Sequence, residues 1–170
     1  MNPGQGCGQL PVSSGPASSI AQVHLTGPAT AAPGATISVQ ATLKVTTGGP
    51  RIVTGPSLSS LLITQGNRVV GKSGGARPDY LMPLPLPSGS VKPLQVVPTS
   101  ITLTACASAA AGSGAAALPA GSYALVAVLG YHVDALNNAA DGGPGPATGS
   151  NPATGGTFYL VSDPLPITVG

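Results

Sequence analysis

The 170-residue chain predicts an all-β fold, an immunoglobulin-like two-sheet β-sandwich of about seven strands with long Pro/Gly-rich loops. Three observations predict it. Only 6% of the residues are charged and none is glutamate, so the side chains that favour helices are scarce. Glycines (25) and prolines (19) divide segments rich in Val, Ile, Leu, Thr and Ser, a composition that suits pleated strands between turns. In TISVQATLKV (36–45), Ile37, Val39, Ala41, Leu43 and Val45 alternate with Thr36, Ser38, Gln40, Thr42 and Lys44, a period of two that gives one buried and one wet face.

A chain of this length is most simply one domain, burying roughly 70% of the surface it exposes when unfolded. Residues 1–19, rich in Gly, Pro and Ser, read as an extended leader, and residues 20–170 as the single domain. In IAQVHLT (20–26), Val23 and Leu25 point inward and His24 outward. GPATAAPGA turns the chain into the alternating strand, and TTGGPR turns it out again. SLSSLLIT and NRVVGK flank Gln65-Gly66, where Gly66 or Asn67 takes positive φ and closes a hairpin. Residues 73–93 carry five prolines in an apolar setting, so they form no central strand; they read as an extended crossover laying Tyr80, Leu81, Met82, Leu84 and Leu86 over an edge or an end of the sandwich. LQVVPTSITLTAC (94–106) reads as a long strand bent at Pro98. LPAGSYALVAVLGYHV (118–133) is a turn feeding a strand apolar on both faces, with the Tyr123 ring over the core and its hydroxyl reaching a loop. TFYLVSDPLPITV (157–169) closes the fold as a strand bent at Asp163-Pro164.

The two cysteines, Cys7 and Cys106, are far apart in the chain. In ITLTAC the inward positions are Ile101, Leu103 and Ala105, which places Cys106 on the opposite face, where a leader running along the outside of the sheet meets it. The expectation is a Cys7–Cys106 disulfide that pins the leader, worth ~4–5 kcal/mol for a loop of about 100 residues on the chain-entropy account. Such a bridge fits a secreted or cell-surface protein, as do the few charges. The first twenty residues lack a signal's basic start and apolar stretch, so the expectation is that a signal was removed and that Met1 is an addition. The alternative is a cytosolic chain with two independent buried thiols.

A formal net charge of +2 from scattered basic residues supplies no phosphate-binding footprint, and aromatic residues make up only 3%, so nucleic acid is not an expected partner. No apolar run reaches the roughly 20 residues of a helical membrane span. Between the last two long strands, YHVDALNNAADGGPGPATGSNPATGGTF (131–158) gathers His132, Asp134, Asn137, Asn138 and Asp141. The EF-hand spacing is absent and His24 is distant from His132, so neither that calcium pattern nor a zinc pattern is present. The reading is a structural loop, with Ca²⁺ held by Asp134, Asn137 and Asp141 as its alternative. No cofactor and no catalytic residue is predicted: paired-carboxylate hydrolysis would need two of Asp79, Asp134, Asp141 and Asp163, all in turns, and no G-x-S-x-G, P-loop or GxGxxG motif occurs.

ATISVQATLKVTTGGPRIVTGPSLSSLLITQGNRVVGKSGG (35–75), followed by LPAGSYALVAVLGY (118–131), resembles the bacterial intracellular-proteinase-inhibitor domain and similar Ig-like accessory modules. The shared features are the alternating strand, the Thr47-Gly48 turn, the hairpin through Gly66, and a late Leu-Pro-x-Gly-x-Tyr strand, here with Ala120 between Pro119 and Gly121. The resemblance implies an Ig-like fold and protease inhibition. The Ala/Gly/Pro/Val bias is similar to that of secreted actinobacterial proteins. The expectation is a secreted, non-enzymatic module that binds another protein or a cell-surface component. Its alternatives are a protease inhibitor presenting an extended loop and a Ca²⁺-stabilised adhesion-type domain.

Overall fold

In the computed structural model, residues 9–73, 77–106, 116–133 and 157–170 are described. The chain is all-β: these residues form thirteen strands and one short 3-10 turn, Pro56–Leu58. The spine is β11 (Gly121–Val133), paired along both edges. On one edge it meets β6 (Ser60–Gln65) and then β5 (Ile52–Thr54); on the other it meets β13 (Leu165–Val169) and then β12 (Phe158–Val161). The same sheet extends through β7 (Arg68–Lys72) beside β6, β8 (Met82–Leu84) beside β5, and the two-residue β2 (Thr30–Ala31), parallel to β13. A second layer is built from β1 (Ala21–Thr26), β4 (Gln40–Val45) and β9 (Val91–Pro93), together with β3 (Thr36–Ser38) and β10 (Ser100–Thr102).

Alternation builds the interface between the layers. Val23, Leu25, Ile37, Val39, Ala41, Leu43 and Val45 are all buried, and they share one core with the odd positions of β11: Tyr123, Leu125, Ala127, Leu129 and Tyr131. The even positions Val126 and Val128 bury on the outer face instead, with Leu62 and Val69 beside them and Leu10 of the leader packed on top. Residues 123–131 therefore read as an unbroken apolar run because each of their two faces has its own cover.

The hairpin forms as expected. Gly66 has φ +63° and among the described residues no non-Gly residue has positive φ, so only the first central residue of the Gly66-Asn67 turn has positive φ, the pattern of a II′ turn. The closing strand breaks at residues 162–164, and Ser162 repairs the gap by donating its N–H to the Ala127 carbonyl while its Oγ accepts from Ala127 N–H. Tyr123 donates its hydroxyl to the Pro119 carbonyl at 2.7 Å, the loop contact anticipated for it.

Two strand assignments differ. The alternating run 36–45 is one strand in pattern but two in pairing: β3 meets β10, β4 meets β1 and β9, and between them Val39 N–H donates to the Thr99 carbonyl. Periodicity records which face is buried, and both halves bury the same face. The long strand at 94–106 is not formed; only Ser100–Thr102 pairs as a strand, with an isolated bridge from Thr104 to Ala117. Pro98 offers no N–H, and Leu94, Val96 and Val97 reach the core from irregular backbone.

Candidate binding cleft

The two layers meet differently along their two sides. On one side β1 packs against β11 and β12. The leader runs along the edge of β12: Ser14 N–H donates to the Tyr159 carbonyl, Tyr159 N–H to Ser14 Oγ, and Val161 N–H to Ser13 Oγ. The chain then turns at Gly15, whose φ of +78° and close approach to Tyr131 and Phe158 leave no room for a Cβ. The fully buried Tyr131 hydroxyl fastens this turn, donating to the Ser14 carbonyl at 2.6 Å and accepting from Ala17 N–H at 3.1 Å. Burial raises the Tyr131 pKa above its ordinary value, and the Ala17 hydrogen bond opposes that rise in part.

On the other side the edge strands β8 and β9 part. The Pro-rich segment carries both strands, so it joins the two layers and also lines the gap between them through Met82, Leu84, Lys92 and Pro93. In the β4–β9 ladder Val45 N–H donates to the Ser90 carbonyl and Leu94 N–H to the Ala41 carbonyl. Alternation along an antiparallel ladder then directs the backbone groups of Val91 and Pro93 away from β4, and Pro93 has no N–H to offer there. Pro83, at the centre of β8, likewise donates nothing. Both edges are thereby poor templates for an added strand.

Between these edges lies a cleft of about 180 Å³. Met82, Leu84 and Thr54 line it from the large sheet, and Lys92, Leu94 and Val96 from the second layer. Register explains the lining: Met82 lies opposite Thr54 and Leu84 opposite buried Ile52, while Lys92 lies opposite buried Leu43, so its stem starts on the inner face. The Lys92 ammonium donates to the Pro85 carbonyl at 2.8 Å. Arg77 donates to the Val96 carbonyl at 2.7 Å, and Ser57 Oγ donates to Asp79 Oδ1. Beside the mouth, Tyr80, Leu81 and Met82 are 51%, 53% and 40% exposed, three consecutive large apolar side chains in contact with water. Thr54 does not face the cleft as a free donor, because its hydroxyl is spent on the Gly130 carbonyl at 2.6 Å.

The crossover reading at 73–93 is thus met in position and only partly in packing: Leu84 and Leu86 are buried, whereas Tyr80, Leu81 and Met82 stand out. The Ca²⁺ candidates Asp134, Asn137 and Asp141, with Asn138, lie outside the described residues. So does Cys7, and its pairing is not seen. Cys106 is half-buried, its N–H donating to the Val70 carbonyl, and it is not a free thiol. His24 sits half-buried on β1 opposite Thr42, and His132 lies opposite Val53 near the end of β11. Among the described residues no group of three His, Cys, Asp or Glu side chains gathers as a metal site, and no helix is long and apolar enough to cross a membrane.

Sequence reading missed two features. The strand pattern at Tyr131 does not reveal that its hydroxyl binds residues more than a hundred positions away, nor does it mark Lys92 as inward-facing. The available signal for Lys92 was a lone cation between Val91 and Pro93 in an otherwise apolar stretch. Compared with known proteins, the chain matches no family model, no curated protein and no solved structure.

Proposed function

We propose that the chain is a secreted or cell-surface, non-enzymatic β-sandwich module of immunoglobulin-like type that works by binding another protein. The observation that carries this reading is the parted side of the sandwich: an apolar cleft bordered by exposed Tyr80, Leu81 and Met82, between edges that prolines close to strand addition. A protein that covered this surface would gain from side chains rather than from backbone pairing. The Ig-like part draws support from Tyr123, which starts a central strand and bonds back to Pro119 four residues upstream in the manner of a tyrosine corner. The compartment draws support from Cys106, which is not a free thiol in a chain whose only other cysteine is Cys7. A Cys7–Cys106 bridge would anchor the leader beyond Leu10. Peptide mapping without reductant is expected to recover these two cysteines in one linked pair, and two alkylatable thiols in exported material would remove the compartment reading.

The binding role is tested by placing a photo-crosslinking residue at Leu81 or at exposed Gln22 on β1 and irradiating in the native secreted milieu. The expected result is a discrete adduct from position 81 and none from position 22; equal labelling from both, or none, rejects the parted side as the contact surface.

A second reading is favoured by one observation. The segment 77–81 has no regular structure, presents Tyr80 and Leu81 just over half exposed between Pro78 and Pro83, and is tethered by Arg77, Asp79 and the β8 ladder. A protease inhibitor offers its loop in such a held form, because prior ordering lowers the entropy lost on binding. A panel of serine and metalloproteases left fully active by micromolar protein would eliminate it.

A further inference from the structure

The chemistry of the parted side narrows the partner, on the reading that the chain is a binding module. The cleft is smaller than the roughly 300–1,000 Å³ of typical small-molecule sites, so it suits a protruding side chain better than a whole cofactor or lipid. Its walls are aliphatic, supplied by Met82, Leu84, Leu94 and Val96. Its charge is of one sign. Lys92 points inward from an edge strand, half-buried, and among the described residues it meets only the neutral Pro85 carbonyl and no carboxylate. Arg77 is bonded to the backbone carbonyl of Val96, a residue that lines the cleft. Asp79, the acidic residue of this crossover, is bonded to Ser57. An inward lysine on an edge strand also discourages strand addition, but that role leaves its charge without a counterion among the described residues, and an arriving carboxylate would supply one.

We propose that the cleft receives an acidic, apolar segment of a partner protein, with one bulky apolar side chain between the aliphatic walls and a neighbouring carboxylate beside Lys92. Two of the three ammonium hydrogens remain to be donated once Pro85 has taken one.

The test is a two-dimensional amide NMR titration of the intact protein at low salt with two capped tetrapeptides, Asp-Leu-Phe-Asp and Lys-Leu-Phe-Lys. The acidic peptide is expected to shift the amides of Thr54, Leu84, Lys92 and Leu94 and to bind ~5-fold more tightly than the basic one, the preference fading as salt is raised. Lys92→Glu should reverse the order while keeping the dispersed spectrum of a folded chain, and Lys92→Arg should retain it. Equal shifts from both peptides overturn the charge assignment. Shifts elsewhere, or none at millimolar peptide, overturn the cleft as receptor, while cross-linking from position 81 judges the broader binding reading independently.

Discussion

Along the side where β1 packs against β12, the leader uses Ser13 and Ser14 to bond the edge of β12, and Tyr131 ties the following turn to the core. Along the opposite side β8 and β9 stay apart, bordered by prolines and open to water over Met82 and Lys92. The first side spends its polar groups on the chain itself. The second blocks the backbone and leaves side chains on offer. A sheet edge can therefore be protected in two ways, and only the proline-guarded one keeps a surface available to a partner.

That contrast is sharpened by substitutions on each side. The largest effect is expected at Gly15→Ala, where an L-residue is forced to φ +78° and its methyl meets Tyr131 and Phe158. The left-handed conformation costs roughly 1–2 kcal/mol and overpacking about 1–3 kcal/mol more, so a fall in stability of about 2–5 kcal/mol should appear in urea unfolding. Next comes Tyr131→Phe, which orphans the Ser14 carbonyl and the Ala17 N–H together and should cost about 1–3 kcal/mol. The same tyrosine sets a pH dependence. Its folded pKa is raised above the ordinary 10.0, so the unfolded chain loses this proton first as pH rises; its contribution is whole below pH 10 and declines above it. Unfolding midpoints measured across the alkaline range should fall less steeply in Tyr131→Phe than in the unaltered protein. The smallest effect on stability belongs to the open side: Tyr80→Ser combined with Met82→Ser should move unfolding by no more than about 0.5 kcal/mol per site while abolishing the adduct formed from the cross-linker at position 81. A large loss of stability there would show those side chains to be core, and the contrast between the sides would fail.

The strands were legible where one face is dry. Val23 and Leu25 in β1, Leu43 and Val45 in β4, and the two-faced run of β11 announce their burial by spacing alone. The hairpin at Gly66 was legible for a local reason, its need for positive φ. The cleft was not, because its walls come from Thr54, Leu84 and Leu94, brought together by ladders between segments tens of residues apart, and no local pattern encodes which edges will part. The same holds for residues 94–99: their apolar content signalled burial correctly, but Pro98 removes a donor that a continuous strand would use.

The change of partner at Val39 joins β3 and β4 as a single girder shared by two ladders. Tension drawn along residues 36–45 would be divided between the β1 seam and the β10 seam, so neither half of that layer can peel away without pulling on the other. Mechanical failure would then begin elsewhere, at strands such as β2 that hold a single short seam.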